Sequence, residues 1–172
     1  VLGVIFAIAA IAPASAVPAP ASTPFASADT VQRWIYAYRN KPDLARVPAA
    51  IRTMSQLGVF KDPESSGIYL GFIAGVLGSN PGKAEQILEK ILPVPPEDQW
   101  VIIRAIAYST LPEWKALLKK FAPRLSSRQV MVEMYLAGTL PTLNEIALEK
   151  KSPRFLETMK SYVTLEKYFG EK

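Results

Sequence analysis

Prolines divide this sequence into short segments, and that division constrains the fold more than any other feature. Fifteen of the 172 residues are proline, which breaks the interior of a helix or of a central strand. Between the prolines, apolar residues recur every three or four positions, as on the buried face of an α-helix. No segment alternates apolar and polar residues between hairpin turns. The sequence therefore predicts an all-α protein built of short helices.

The first two helices begin or end at recognisable local signals. Asp29-Thr30-Val31-Gln32 is similar to a capping box, so we predict a helix that starts there and runs to about Arg39. The second helix carries Pro48 in its first turn, where proline is tolerated. It is expected to stop at Gly58, because glycine readily adopts the left-handed conformation that ends a helix.

Later helices carry similar signals. The helix after Pro81 is predicted to have an apolar face of Ala84, Ile87, Leu88 and Ile91. Thr110-Leu111-Pro112-Glu113 is predicted to be a capping box that opens a helix over 114–121. Ser126-Ser127-Arg128-Gln129 is predicted to open another over 130–137. A short helix is expected after Pro141, and a last one starts at Ser152-Pro153. The predicted inner face of this last helix consists of Phe155, Leu156, Met159, Tyr162 and Val163.

The segment Gly67 to Gly78 (GIYLGFIAGVLG) is apolar on every face, which is typical of a fully buried helix. Gly67, Gly71 and Gly75 follow the spacing that allows a neighbouring helix to approach closely. Membrane insertion is the alternative interpretation, but the run is shorter than the roughly 20 residues that span a bilayer. We therefore expect this helix at the centre of the core.

Four helix boundaries share one layout, in which an apolar helix is followed by a short polar turn, a proline and a second helix. Their prolines, at positions 42, 81, 112 and 141, lie 39, 31 and 29 residues apart. These spacings resemble helix-hairpin repeats. We predict antiparallel hairpins stacked as a short right-handed α-solenoid over residues 29–172. The alternative is an irregular helical domain that prolines merely punctuate.

The start of the chain is typical of an export signal. Residues 1–13 are apolar and are followed by Ala14-Ser15-Ala16, the small-x-small pattern of a signal-peptidase site. We predict a signal peptide over 1–16 that lacks its basic front, with cleavage before Val17, and a Pro/Ala-rich linker over 17–28. The expected location is periplasmic or secreted. The alternative is anchoring to the membrane by an uncleaved N-terminal segment, and we expect a chain that is truncated at both ends.

Cysteine and histidine are both absent, which excludes thiolate nucleophiles, serine-histidine triads and the usual zinc ligands. The acids nearest to aromatic and basic residues are Glu97, Asp98 and Glu113. A glycan-cleaving site would need two carboxylates at a defined separation. Their positions are explained more simply by helix starts, where acids complement the helix dipole. We expect no enzyme activity, no cofactor and no metal.

Five residues are the candidate partner-binding positions. Lys115, Lys119, Arg124 and Arg128 form a basic cluster on one helix and at the start of the next. Such a cluster attracts anionic lipid, an acidic glycan or an acidic partner, although an ordinary solvated face is the simpler alternative. Tyr36 lies off the apolar stripe of its helix and is expected to be exposed. The net charge of +5 comes without long basic tracts, so no nucleic-acid partner is predicted.

Several short motifs resemble exported helical-repeat proteins of Gram-negative bacteria, whose activities are largely unassigned. These motifs are Asn40-Lys41-Pro42-Asp43, Val47-Pro48-Ala49-Ala50-Ile51, Leu57-Gly58, and Gly71-Phe72 through Asn80-Pro81. The resemblance implies a shared architecture and no particular activity. The fixed positions of a tetratricopeptide repeat are absent.

The functional hypothesis that follows is a non-enzymatic helical-repeat scaffold, which binds another protein or peptide in the periplasm. One alternative is the helical superstructure part of a cell-wall enzyme that cleaves glycan. The other is a helical module anchored to the membrane.

Overall fold

The computed structural model describes residues 25–146, and this part of the chain is all-α without strands. Short turns and 3-10 segments join its seven α-helices. These are α1 (Ala28–Tyr38), α2 (Val47–Gln56), α3 (Gly67–Gly78), α4 (Ala84–Ile91), α5 (Gln99–Tyr108), α6 (Trp114–Phe121) and α7 (Gln129–Leu136). The predicted all-α class is confirmed for these residues. The predicted signal peptide, residues 17–24 of the linker and the helix at Ser152-Pro153 lie outside them.

The helical domain begins earlier than predicted. The Ser27 side chain accepts a hydrogen bond from the Thr30 amide at 3.3 Å, and the Thr30 hydroxyl oxygen accepts one from the Ser27 amide at 3.0 Å. This capping box starts α1 at Ala28, so the capping box predicted at Asp29 was wrong, and the observed N-cap lies two residues earlier. Phe25 is only 6% exposed, and its ring centroid lies 5.2 Å from that of Trp34. The last residues of the predicted linker therefore belong to the packed domain.

Helix α3 lies at the centre of the core, as predicted. Its bounds, Gly67–Gly78, coincide with those of the apolar segment. Its most extensive contact is with α5. The buried residues are Gly67, Tyr69, Leu70, Phe72, Ile73, Ala74, Val76 and Leu77.

Helices pack both on the next helix along the chain and on the helix two positions along. Helix α6 packs on its chain neighbours α5 and α7. Besides α3 with α5, α2 packs on α4 and α5 packs on α7. Trp34 and Tyr38 of α1 meet Phe72 of α3 edge to face, with ring centroids 5.3 and 5.1 Å apart.

Two local predictions in the first half of the chain are confirmed. Gly58 follows α2 with φ of +69°, the left-handed conformation that stops a helix. The buried face of α4 is also as expected, because apolar residues spaced three and four apart share one side of a helix. Its members are Ala84, Ile87, Leu88 and Ile91.

The two predicted capping boxes in the second half do not form. Glu113 occupies the N-cap position of α6 without a side-chain hydrogen bond, and the Thr110 hydroxyl donates instead to the Ser109 carbonyl at 2.7 Å. Ser126 lies inside a 3-10 segment, Ala122–Arg128, and α7 starts after Arg128 without a side-chain cap. Here contacts with other helices determine the backbone path. The Ser127 amide, for example, donates to the Gln99 side chain of α5 at 3.1 Å.

Candidate functional site

The basic residues on and directly after α6 divide into two groups, and those of the first group form ion pairs with acids of the same chain. The Lys120 ammonium lies 2.6 Å from Glu85 Oε1, and Arg124 forms an ion pair with Glu89. Arg124 also donates through Nη2 to the Leu92 carbonyl at 3.0 Å. The charge of Arg124 is therefore already compensated, so the predicted basic cluster offers fewer free cations to a partner than the sequence indicated.

These two ion pairs form a matched ladder between α4 and α6. Glu85 and Glu89 are four residues apart on α4, and Lys120 and Arg124 repeat that spacing on α6 and the residues after it. Residues four apart lie on the same side of a helix. Each acid thus meets the base 35 residues further along the chain. The ladder joins α4 to α6 and the residues after it.

The second group of basic residues remains available. Lys115, Lys119 and Arg128 are exposed and form no ion pair with any described residue. The Lys115 ammonium lies 5.6 Å from the centroid of the Trp114 ring. We call Lys115, Lys119 and Arg128 the basic surface.

The charge on Lys115 also reaches Glu145, which follows α7. The Glu145 carboxylate accepts hydrogen bonds from the Thr142 amide and hydroxyl, both at 2.8 Å. These bonds, and then the Lys115 charge, lower the pKa of Glu145. The Thr142–Glu145 pair is a capping box that sequence analysis missed, although its residue types and spacing are the usual ones.

Tyr36 is exposed, as its position off the apolar stripe predicted. Its side chain is 46% exposed, whereas Ile35 and Tyr38 beside it are buried. Helix α1 packs on α2 and contacts α3 through its rings, and it has no extensive contact with α6. The structure therefore does not join the two sets of predicted binding residues into one site.

The acids considered for catalysis have structural roles or lie at a helix start. Asp98 is only 5% exposed and accepts a hydrogen bond from the Ser55 hydroxyl, which joins α2 to the start of α5. Glu97 lies in the exposed first turn of the same segment. Residues 25–146 contain no group of acids that could hold a metal ion. The Ser55 contact could not be predicted, because its two residues are 43 positions apart.

A groove between the first turns of α4 and α6 was not predicted. Its cavity volume is about 510 Å³. Pro81 and Pro112, which occupy equivalent places in the repeated helix boundaries, were the only sequence signal for it. The groove is lined by Pro81, Ala84, Glu85, Leu111, Pro112, Glu113, Ala116, Leu117 and Lys120.

Comparison of the chain with protein families, curated proteins and solved structures found no match. The resemblance to exported helical-repeat proteins therefore remains a prediction from sequence motifs. Within residues 25–146, no helix has both the length and the apolar character needed to cross a membrane.

Proposed function

We propose that this protein is an exported, non-enzymatic α-solenoid that serves as a scaffold for another protein or peptide. The observation that carries the proposal is the packing of α3 on α5, of α5 on α7 and of α2 on α4, each between helices two positions apart along the chain. Stacked helix pairs of this kind form solenoids, whose extended faces bind other proteins. The signal-like segment over residues 1–16 supports export.

The basic surface is the part of the scaffold that we assign to the partner. Lys115 and Lys119 are one helical turn apart on α6, and Arg128 immediately precedes α7. Because no acid in the described residues pairs with them, their charges can attract an acidic segment of a partner. The partner expected is therefore a protein or peptide with several exposed carboxylates.

A non-enzymatic role is supported by how the acids are used. Glu85 and Glu89 form the ladder to α6, and Asp98 accepts the Ser55 hydroxyl. The chain also has no histidine or cysteine to act as a base or nucleophile. These features favour binding over catalysis.

The test is a pull-down from periplasmic and membrane extracts with the full chain as bait. One variant carries Lys115→Glu, Lys119→Glu and Arg128→Glu. The control, Lys41→Glu with Lys61→Glu and Lys83→Glu, makes the same change in net charge at other exposed lysines. We expect the wild type and the control to capture the same partner and the first variant to lose it, with unchanged helical circular dichroism. Added salt should weaken the capture, because it screens exposed charges.

Two results would overturn the proposal. The first is equal capture by the variant with reversed charges, which would show that the basic surface does not bind the partner. Mass spectrometry of the bait should find mature chains that begin at Val17 in the soluble periplasmic fraction. The second contradicting result is membrane-bound chains that retain Val1, which would support the anchored alternative.

A further inference from the structure

The groove between α4 and α6 has the dimensions and lining of a small binding site. Its volume, about 510 Å³, lies within the range of pockets that hold small ligands. Most of its wall is apolar, with Leu111, Ala116 and Leu117 on the α6 side and Ala84 on α4. Only a few polar groups line it, which is the usual composition of a site that selects its ligand.

One wall of the groove depends on a strained residue. Thr110 has φ of +58°, a left-handed conformation that is unfavourable for a residue with a branched Cβ. It turns the chain from the end of α5 into Leu111 and Pro112, which line the groove. Thr110 follows Ser109, whose carbonyl oxygen lies against Gly78 of α3. The contact between Gly78 and Ser109 therefore positions the chain segment that continues into Leu111 and Pro112.

The charge in the groove is negative. The charges of Glu85 and Lys120 compensate each other in their ion pair. The Glu113 carboxylate is then the remaining charged group among the lining residues. Glu113 is exposed and makes no capping hydrogen bond to the amides of α6, and no cation of the described residues pairs with it. A ligand that brings one positive charge to Glu113 would complete the site.

We propose that this groove binds an apolar peptide segment that carries one lysine or arginine. The apolar side chains of the peptide pack on Leu111, Ala116 and Leu117, and its cation pairs with Glu113. The groove is separate from the basic surface, because residues 113, 116 and 120 lie on a different side of α6 from residues 115 and 119. The two proposals therefore succeed or fail independently.

The test uses two synthetic peptides, acetyl-Leu-Lys-Leu-amide and its neutral analogue acetyl-Leu-Gln-Leu-amide. Each is titrated into the ¹⁵N-labelled full chain, and backbone amide shifts are followed by NMR. We expect saturable shifts at the groove residues with the lysine peptide and weaker binding of the glutamine peptide. Glu113→Gln should weaken the lysine peptide by about two- to fivefold, the range for an exposed ion pair, and leave the glutamine peptide unchanged.

A second pair of variants tests the apolar contacts. Ala116→Leu fills the groove from an exposed position and should abolish binding of both peptides. Ala37→Leu, which changes another exposed alanine, on α1, is the matched control and should bind like the wild type. The absence of saturable shifts, equal affinity for the two peptides, or undiminished binding by Ala116→Leu would overturn the assignment.

Discussion

Gly78 shows how a single residue sets the distance between two helices. A Cβ atom placed on it would lie 2.1 Å from the Ser109 carbonyl oxygen, far inside contact distance. Because that oxygen belongs to the backbone directly after α5, it cannot move aside as a flexible side chain could. The absence of a side chain at Gly78 therefore permits the main helix contact of the core.

Gly78→Ala should destabilise the protein, although alanine favours helix over glycine by about 1 kcal/mol in open positions. We expect the free energy of unfolding to fall by about 1 to 3 kcal/mol, the usual cost of overpacking. Gly82→Ala is the matched control, because nothing lies within 4 Å of the added Cβ. Urea denaturation measures both variants, and a Gly78→Ala protein at least as stable as the control would contradict the close contact.

Tyr38 gives the protein a sensitivity to alkaline pH. Burial, and then the charge of Asp43, raises the pKa of Tyr38 from 10.0 to about 12. Since the unfolded chain loses this proton first, the contribution to stability is complete below pH 10 and is lost as pH rises towards 12. We expect the urea midpoint to fall over that interval, and to fall less in Tyr38→Phe. An identical pH dependence in both proteins would exclude Tyr38 as the source.

At the scale of single helices, local sequence predicted the existence of elements better than their starts. The buried face of α4 follows from apolar spacing and the full extent of α3 from a continuous apolar run, because both patterns lie within the helix itself. Caps depend on a few φ and ψ angles, which neighbouring helices can change. The predicted boxes at 110–113 and 126–129 failed for that reason, whereas Ser27 and Thr142 cap their segments.

Removing the side chain of a formed cap should cost more stability than removing that of a predicted cap that does not form. Ser27→Ala removes the oxygen that accepts the Thr30 amide, and we expect it to cost about 0.5 to 2 kcal/mol. Ser126→Ala removes a side chain with no capping role, so its effect should stay within about 0.5 kcal/mol. Thermal and urea unfolding of the two variants would decide, and an equal cost for both would contradict the assignment of the caps.

At the scale of the whole molecule, some contacts join segments about 35 residues apart in the sequence, as in the Glu85–Lys120 pair. Helices α1, α3 and α5 are joined mainly through apolar and aromatic side chains. Helices α4 and α6 are joined by the exposed ion-pair ladder. Apolar contacts thus form the core around α3, and charged contacts connect two helices at the surface.

Reversal of one charge in the ladder should be corrected by reversal of its partner. Lys120→Glu places two carboxylates together, and we expect the free energy of unfolding to fall by about 0.2 to 1 kcal/mol, as is typical of exposed pairs. Adding Glu85→Lys should restore most of the lost stability, and high salt should reduce both effects. Lys119→Glu, one position away and without an ion pair, is the control. No recovery in the double variant would exclude direct pairing.

The sequence by itself determined the helices and their buried faces, because proline positions and apolar spacing act within a few residues. It also indicated that Tyr36 is exposed, since that residue lies off the apolar stripe of its own helix. Only the tertiary structure decided that Arg124 is paired while Lys115 and Lys119 are not, because the acids concerned come from another helix. The groove at Glu113 has the same origin, since its walls come from two helices that the sequence does not place side by side.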